Sequence, residues 1–273
     1  MSDEKEKMSF FLENLAAQLR EGLSNLYLSE RRMVSPEKRK KISNADQNSA
    51  YADQSRIRLT RLVRNLEESA VLLREEAMRK EACDIVGLVS DICEESADLA
   101  KYLGLELRFS CAEARHSCLI NPEHIRQLVY HLLSNAMKYT ARGGYVRVKL
   151  SFQRSPKKIL LSVEDNGRGI SEEELPKLFA WSWNVRRGDD TTHGMGLGLA
   201  ICKRIAEGHG GVLSVESKRA KGTRVTLSIP EETANLLTFR QPGLPDRNSG
   251  IHPSLLMLSD ALPWEAFRID NQM

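Results

Sequence analysis

Glycine constrains this chain more than any other residue, through where it is missing and where it clusters. Of the 17 glycines in 273 residues, only Gly22 lies within the first eighty. A stretch of that length with leucines three and four apart reads as long helices that each bury one stripe. Met8, Leu12, Leu15, Leu19, Leu23 and Leu26 form one stripe; Leu59, Leu62, Leu66 and Leu73, flanked by Val63, Ala70 and Ala77, form a second. Between them "MVSPEKRKK", with its proline and basic cluster, reads as the bend. Residues 1–81 are therefore expected to be an antiparallel helical hairpin. Two helices enclose little core by themselves, so two copies forming a four-helix bundle should bury the stripes, which makes the chain a homodimer through this hairpin.

Beyond residue 82 the texture changes. "DIVGLVSDICEESADLAKYLG" is a helix closed by Gly104. "LELRFSC" and "SCLI" are short strands, and "PEHIRQLVYHLLSNAMKY" is a helix with Pro122 in its first turn. "YVRVKLSF" and "KILLSVED" are strands, "LGLAICKRIAEGHGG" is a helix ending in glycines, and "GVLSVES" and "GTRVTLSI" are a strand pair. Residues 82–230 thus read as an α+β domain, one mixed sheet with three helices on one face. Residues 231–273 hold a linker, "QPGLPDRNSG", and a short amphipathic tail, "HPSLLMLSDALPWEAF", expected to dock on its own domain.

Composition narrows the function. A net charge of +3 gives no sign of a nucleic-acid partner. No apolar run reaches the roughly 18–20 residues of a membrane span, and "MSDEKEK" has no apolar signal core, so the expected location is cytoplasmic. Cys83, Cys93, Cys111, Cys118 and Cys202 form no CxxC pair and read as reduced thiols.

Four stretches of the middle region fit one chemical purpose. At the end of "NAMKYT", Asn135 offers a hard amide oxygen suited to Mg²⁺, and Lys138, one turn on, a cation for phosphates. In "EDNGRGI", Asp165 at a strand end can accept from an exocyclic amine, while Gly167 and Gly169 allow close backbone approach. In "HGMGLGLAI", Gly194, Gly196 and Gly198 let amides turn toward anions at a helix N-terminus. In "KGTRVTL", the Thr223 hydroxyl beside Gly222 can reach the purine side. Singly each is weak: "DNG" is a common turn, and GxGxG is more often packing than nucleotide binding.

In this order the four stretches resemble the ATP-binding (GHKL, or Bergerat) domain shared by gyrase, heat-shock chaperone, histidine kinase and mismatch-repair ATPases. "HLLSNAMKYT" with "DNGRGI", Phe179 and "GMGLGLAI" looks most like a sensor histidine kinase. The resemblance covers residues 82–230, and the hairpin matches the family's dimerisation and phosphotransfer domain in position and length. It implies ATP and Mg²⁺ as cofactors, with Asn135 on the metal, and Lys138 and Tyr139 on phosphate and ribose. It implies Asp165 on the adenine amine, and Gly167, Gly169 and Ile170 shaping the pocket. Gly194, Gly196 and Gly198, with the amides of Leu197 and Leu199, would hold the phosphates, and Thr223 would complete the adenine contact through water. Residues 171–193 would be the lid; within it Trp181 and Trp183 read as packing residues, and Arg186 and Arg187 as solvated charges.

The pattern breaks in the first helix. Against the family's F-x-x-x-x-S-H-E-L-R-T-P-L, the stretch "FLENLAAQLREGL" keeps Phe11, Leu19, Arg20 and Leu23 but places Ala17 at the phosphoacceptor histidine. Gln18 replaces the acid that would act as general base, and Gly22 replaces the proline. No shift of register restores the nucleophile, because residues 1–115 contain no histidine. His131, one turn before Asn135, sits where ATP-hydrolysing relatives carry a glutamate; it reads as a polar pocket residue, with general base as the sharper alternative. His193 reads as a lid residue, and His116, His124, His209 and His252 have no supporting constellation. The leading expectation is a histidine-kinase-like signalling protein that binds Mg-ATP and does not autophosphorylate at the usual position, its partners a response regulator or another histidine kinase. The alternatives are an active kinase or slow ATPase using another acceptor or His131, and a dimerisation scaffold with a relic pocket.

Overall fold

A computed structural model describes residues 19–20, 23, 43–73, 78–178, 197–232 and 251–267. The chain divides into two units, residues 1–75 with 259–273, and residues 76–258.

In the first unit the long element is helix α1, Ser43–Leu73. Of the expected hairpin this second helix is described; the first lies outside the described residues except for Leu19, Arg20 and Leu23, which are helical. Arg20 pairs with Glu67 of α1, and Arg64 with Glu68 one turn on, at 2.9 Å. Ala50, Ile57, Val63, Leu66 and Ala70 are buried, whereas Leu59 of the predicted stripe is 39% exposed. The tail supplies a 3₁₀ turn, Trp264–Phe267, packed on α1.

The second unit opens on strand β1, Glu81–Asp84, which sequence patterning did not anticipate. Helix α2, Ile85–Tyr102, follows it directly, because Asp84 caps the helix: its carboxylate accepts the amides of Val86 and Gly87 at 3.2 and 3.4 Å. Strands β2 (Glu106–Cys111) and β3 (Ser117–Ile120) come next, then helix α3, Pro122–Tyr139. Asn121 caps α3 by accepting the amide of His124 at 3.0 Å, with Pro122 in the first turn. Strands β4 (Tyr145–Arg154) and β5 (Lys157–Asp165), helix α4 (Leu197–Gly208), strands β6 (Val212–Lys218) and β7 (Gly222–Pro230) and the short helix α5 (Pro253–Met257) complete the unit.

The single mixed sheet expected from sequence is corrected to two sheets. Five strands run in the order β2-β4-β5-β7-β6, with β2 and β4 parallel and the other pairs antiparallel. β3 leaves this sheet and pairs antiparallel with β1, in register from Glu81–Ile120 to Asp84–Ser117. The strand "SCLI" is too short for its pattern to name a partner, and the four residues "EACD" of β1 are too few to show a strand pattern.

On the large sheet, alternation sends one set of side chains inward. Val148, Val163 and Val225 form one cross-strand row, and Leu150, Leu161 and Leu227 the next; all six are buried. The three helices pack over this face, α2 against β2, α3 against β4 and β5, and α4 against β6 and β7. From Ile125 through Met137 every side chain of α3 is buried except Asn135, which is half-buried. A helix buried all round, here with Arg126, Gln127, His131 and Ser134 among its buried side chains, needs cover on both sides. α5 supplies part of it, packing on α2 and α3 with Leu256, Met257 and Leu258 buried, each such side chain contributing about 1.5–3 kcal/mol. Among the described residues no helix is long and apolar enough to cross a membrane.

His209, just past α4, is locked as a neutral ring. Its Nδ1–H donates to the carbonyl of Ile205 at 2.8 Å, and its Nε2 accepts the amide of Asn121 at 3.1 Å. The ring is 2% exposed, and burial pulls its pKa down to about 4. The unfolded chain, with an ordinary imidazole near 6.5, takes up this proton first. Stability from this site is therefore full above about pH 6.5 and is lost as pH falls toward 4, by up to roughly 3 kcal/mol. Denaturant unfolding at pH 7 and pH 4.5 checks this, and a His209→Gln variant is expected to lose that part of the slope.

Candidate functional site

The site residues collect at one end of the large sheet, where β5 and β7 meet the C-terminus of α3. Asp165 is the last residue of β5 and lies opposite Thr223 of β7. Its side chain is buried and accepts the amide of Gly167 at 2.8 Å. Burial holds this carboxyl above the usual carboxylate range, against the opposing pull of the Gly167 and Thr223 backbone N–H groups. A desolvated carboxylate held from behind by two amides is a pre-aimed acceptor for a further N–H donor.

The turn after Asp165 is built by contact. A Cβ on Gly167 would stand 2.2 Å from the carbonyl oxygen of Tyr139, so only glycine lets the turn lie against the end of α3. The Arg168 amide donates to that same carbonyl at 3.1 Å, and the Arg168 guanidinium stacks over the Tyr139 ring at 4.3 Å. Gly169, at φ +64°, passes 2.0 Å (measured to a hypothetical Cβ) from the Lys218 carbonyl oxygen. The Ala220 amide returns to Arg168 O at 2.7 Å. The Lys138 ammonium lies 5.3 Å from the Tyr139 ring centre.

Two residues that sequence reading passed over hold this end together. Ser217 Oγ accepts the Ile170 amide at 2.9 Å and lies 2.9 Å from both the Gly222 carbonyl oxygen and Thr223 Oγ1. Asn166 Oδ1 accepts the Tyr145 amide at 2.7 Å, tying the turn to the start of β4. The "DNG" turn signal pointed toward Asn166; nothing in "VLSVESK" singled out Ser217.

The second cluster lies along α3 and the start of α4. Asn135 is the half-buried side chain in an otherwise closed run. His131, one turn earlier, is 1% exposed, and its Nδ1 lies 3.2 Å from where a Gly198 Cβ would be. The ring is thus packed under the first turn of α4, in the place of a brace for that turn. Leu197, Gly198 and Leu199 open α4, whose first amides have no intrahelical acceptor. Gly194, Gly196, Ala17, Gln18, Phe179, His193 and most of the expected lid lie outside the described residues.

These residues fit an adenine nucleotide at the end described. Asp165 and Thr223 offer acceptors and a hydroxyl for a base, and Lys138 and the α4 amides offer positive charge for phosphates. Among the described residues no three His, Cys, Asp or Glu side chains converge to hold a metal ion. A single amide oxygen, Asn135, suits Mg²⁺ that keeps its waters and takes its other ligands from phosphate.

Comparison with known proteins agrees with this geometry. The model of the family described as "Histidine kinase-, DNA gyrase B-, and HSP90-like ATPase" matches residues 120–233. The adaptive-response sensory kinase SasA of Synechococcus sp. (strain JA-2-3B'a(2-13)) is 31% identical over 165 residues, which is 60% of this chain and 43% of SasA. The chain thus spans less than half the length of this curated relative. Among solved structures, full-length ShkA in complex with AMPPNP superposes with a TM-score of 0.63 at 21% identity, over 84% of this chain and 46% of ShkA. The histidine kinase ThkA in complex with response regulator protein TrrA gives 0.55 at 19% identity, over 82% of this chain and 61% of ThkA. At these identities the structural likeness speaks for the fold alone.

Proposed function

We propose, from the match of residues 120–233 to the model of the histidine kinase-, DNA gyrase B- and HSP90-like ATPase family, that the chain is a histidine-kinase-like signalling protein that binds Mg-ATP. The observation that carries the reading is Asp165: a buried carboxylate, held by the Gly167 amide and facing Thr223, at the mouth of a glycine-built turn. In this reading Asp165 and Thr223 take the adenine, and Gly167, Gly169 and Ile170 keep the turn clear of it. Lys138, Tyr139 and the α4 amides of Leu197, Gly198 and Leu199 take the ribose and phosphates, together with Gly194 and Gly196. Asn135 holds Mg²⁺, which would neutralise phosphate charge when bound.

The same reading makes the first helix a dimer element without a nucleophile. Ala17 has no atom that can accept a phosphoryl group, and Gln18 cannot take a proton from an attacking imidazole. The chain dimerises through its hairpin and acts by presenting it to a response regulator or another histidine kinase. ThkA, whose solved complex holds the response regulator TrrA, is the structural neighbour that motivates this choice of partner. The slow-ATPase reading through His131 is disfavoured by burial: a ring 1% exposed beneath Gly198 has little access to the water it would activate.

One preparation tests the proposal. Calorimetry with Mg-ATP should show binding, and incubation with γ-labelled ATP should give no acid-labile phosphate in the hairpin. The repair variant Ala17→His/Gln18→Glu should then acquire label at residue 17. Absence of affinity at millimolar nucleotide would instead support a scaffold with a relic pocket, and label in the wild-type hairpin would sink the dead-centre reading.

A further inference from the structure

The row of side chains at the site end of the large sheet runs further than Asp165 and Thr223. Asp165 of β5 lies opposite Thr223 of β7, and Thr223 lies opposite Ser217 of β6. Residues directly opposite one another in a sheet share a face, so the three side chains stand in one line, with Ser217 on the edge strand. Ser217 is half-buried. Its Oγ has three polar neighbours at one distance: the Ile170 amide, the Gly222 carbonyl oxygen and Thr223 Oγ1, each at 2.9 Å.

A hydroxyl has one proton to give and two lone pairs to receive with. Three neighbours therefore fix the direction of every bond. The Ile170 amide can only donate, and it fills one lone pair. The Gly222 carbonyl can only accept, and it takes the Ser217 proton; otherwise two oxygens would face each other at 2.9 Å with no hydrogen between them. One lone pair is left, and the Thr223 hydroxyl must donate to it. With its proton committed to Ser217, Thr223 Oγ1 turns only lone pairs elsewhere. An ionised Asp165 does the same. A water lodged beside them would give its protons to these oxygens and present lone pairs in its turn.

We propose, resting on the nucleotide reading above, that Ser217 is a positioning residue for base selection: by holding the Thr223 proton it makes the Asp165–Thr223 edge accept only, so that the site takes a purine with an exocyclic amine there and rejects one with a carbonyl. Asp165 supplies the larger share of that preference through its charge. Ser217 adds to it through Thr223, because a hydroxyl free to turn would donate to a carbonyl as readily as it accepts from an amine.

Calorimetry on the full chain compares Mg-ATP with Mg-ITP, whose base carries a carbonyl in place of the amine. Wild type should prefer ATP by at least about hundredfold. Ser217→Ala frees the Thr223 proton, and the preference should fall by about tenfold, the worth of one neutral hydrogen bond. Ser217→Thr keeps a hydroxyl and should keep the preference. Thr223→Val should lose as much of it as Ser217→Ala does. Adding Ser217→Ala to Thr223→Val should lower it no further, as two residues acting through one hydroxyl require. A merely structural Ser217 would weaken both nucleotides alike and leave their ratio unmoved. That result overturns the proposal, as does a ratio that falls again in the double variant. Thr223→Val with the wild-type preference also overturns it, whether or not Ser217→Ala folds. Wild type that binds both nucleotides equally leaves nucleotide binding standing and overturns the selection. Wild type that binds neither overturns the nucleotide reading, and the selection with it.

Discussion

Asp165→Asn is expected to leave the domain folded and to weaken Mg-ATP binding by roughly hundredfold, a loss of the size that follows when a charge-assisted hydrogen bond in a desolvated site is removed. The substitution keeps one oxygen, so the Gly167 amide, 2.8 Å from Oδ1, retains its acceptor. It replaces the other acceptor by an NH₂ donor and removes the charge, so any N–H presented by a bound base meets a donor. Asp165→Ala should lose binding too, with a further cost of about 1 kcal/mol in stability, since the half-buried Gly167 and Thr223 amides then lose this acceptor. Calorimetry reads the affinity and a thermal melt the fold. Nucleotide affinity unchanged in Asp165→Asn would remove Asp165 from the site, and with it the observation on which the proposed function stands.

The contrast between Asp165 and Ser217 shows how far sequence carries in this chain. Asp165 was legible because "EDNGRGI" ends a strand and falls in order between "NAMKYT" and "GMGLGLAI"; by itself the turn would have been one of many. Its burial was not legible, since that depends on Gly222 and Thr223, 57 and 58 positions on, being brought alongside by β7. Ser217 contacts Ile170 and Thr223 only because β6 and β7 align; in the linear pattern it is one more polar residue of an alternating strand. His131 lies between these cases. Its helical phase relative to Asn135 follows from spacing, but its place under Gly198 comes from the packing of α3 on α4. The helices of the second unit and six of its seven strands, β3 included, were readable from periodicity and punctuation, because each is long enough or bounded clearly enough for burial to leave a pattern. β1 was missed and the partner of β3 was not legible, because these four-residue strands pair with one another, which no window of either sequence contains.

A pair of glycine substitutions separates backbone conformation from space, and should give the largest stability difference in the domain. Gly143 and Gly222 have nearly the same left-handed conformation, φ +87° and +92°. At Gly143 an added Cβ would meet nothing within 4 Å, so Gly143→Ala pays only for the conformation, roughly 1–2 kcal/mol. At Gly222 the same atom would stand 1.9 Å from the carbonyl oxygen of Asp165 and 2.8 Å from the Asn166 Cα. Neither is a flexible side-chain end that can swing aside; both are backbone at the junction of β5 and β7. Gly222→Ala must therefore part these strands where Asp165 and Thr223 face each other, at a cost expected to exceed about 4 kcal/mol, twice or more that of its partner. For a unit of this size that is a fall in melting temperature of roughly 10 °C or more, against a few degrees for Gly143→Ala. Nucleotide binding should follow the same order, retained in Gly143→Ala and lost in Gly222→Ala even below its melting point, because the shift falls on the adenine acceptor itself. Equal losses of stability in the two variants would mean that the cost is conformational alone, and that β5 and β7 do not approach as closely at Gly222 as the geometry of Asp165 requires.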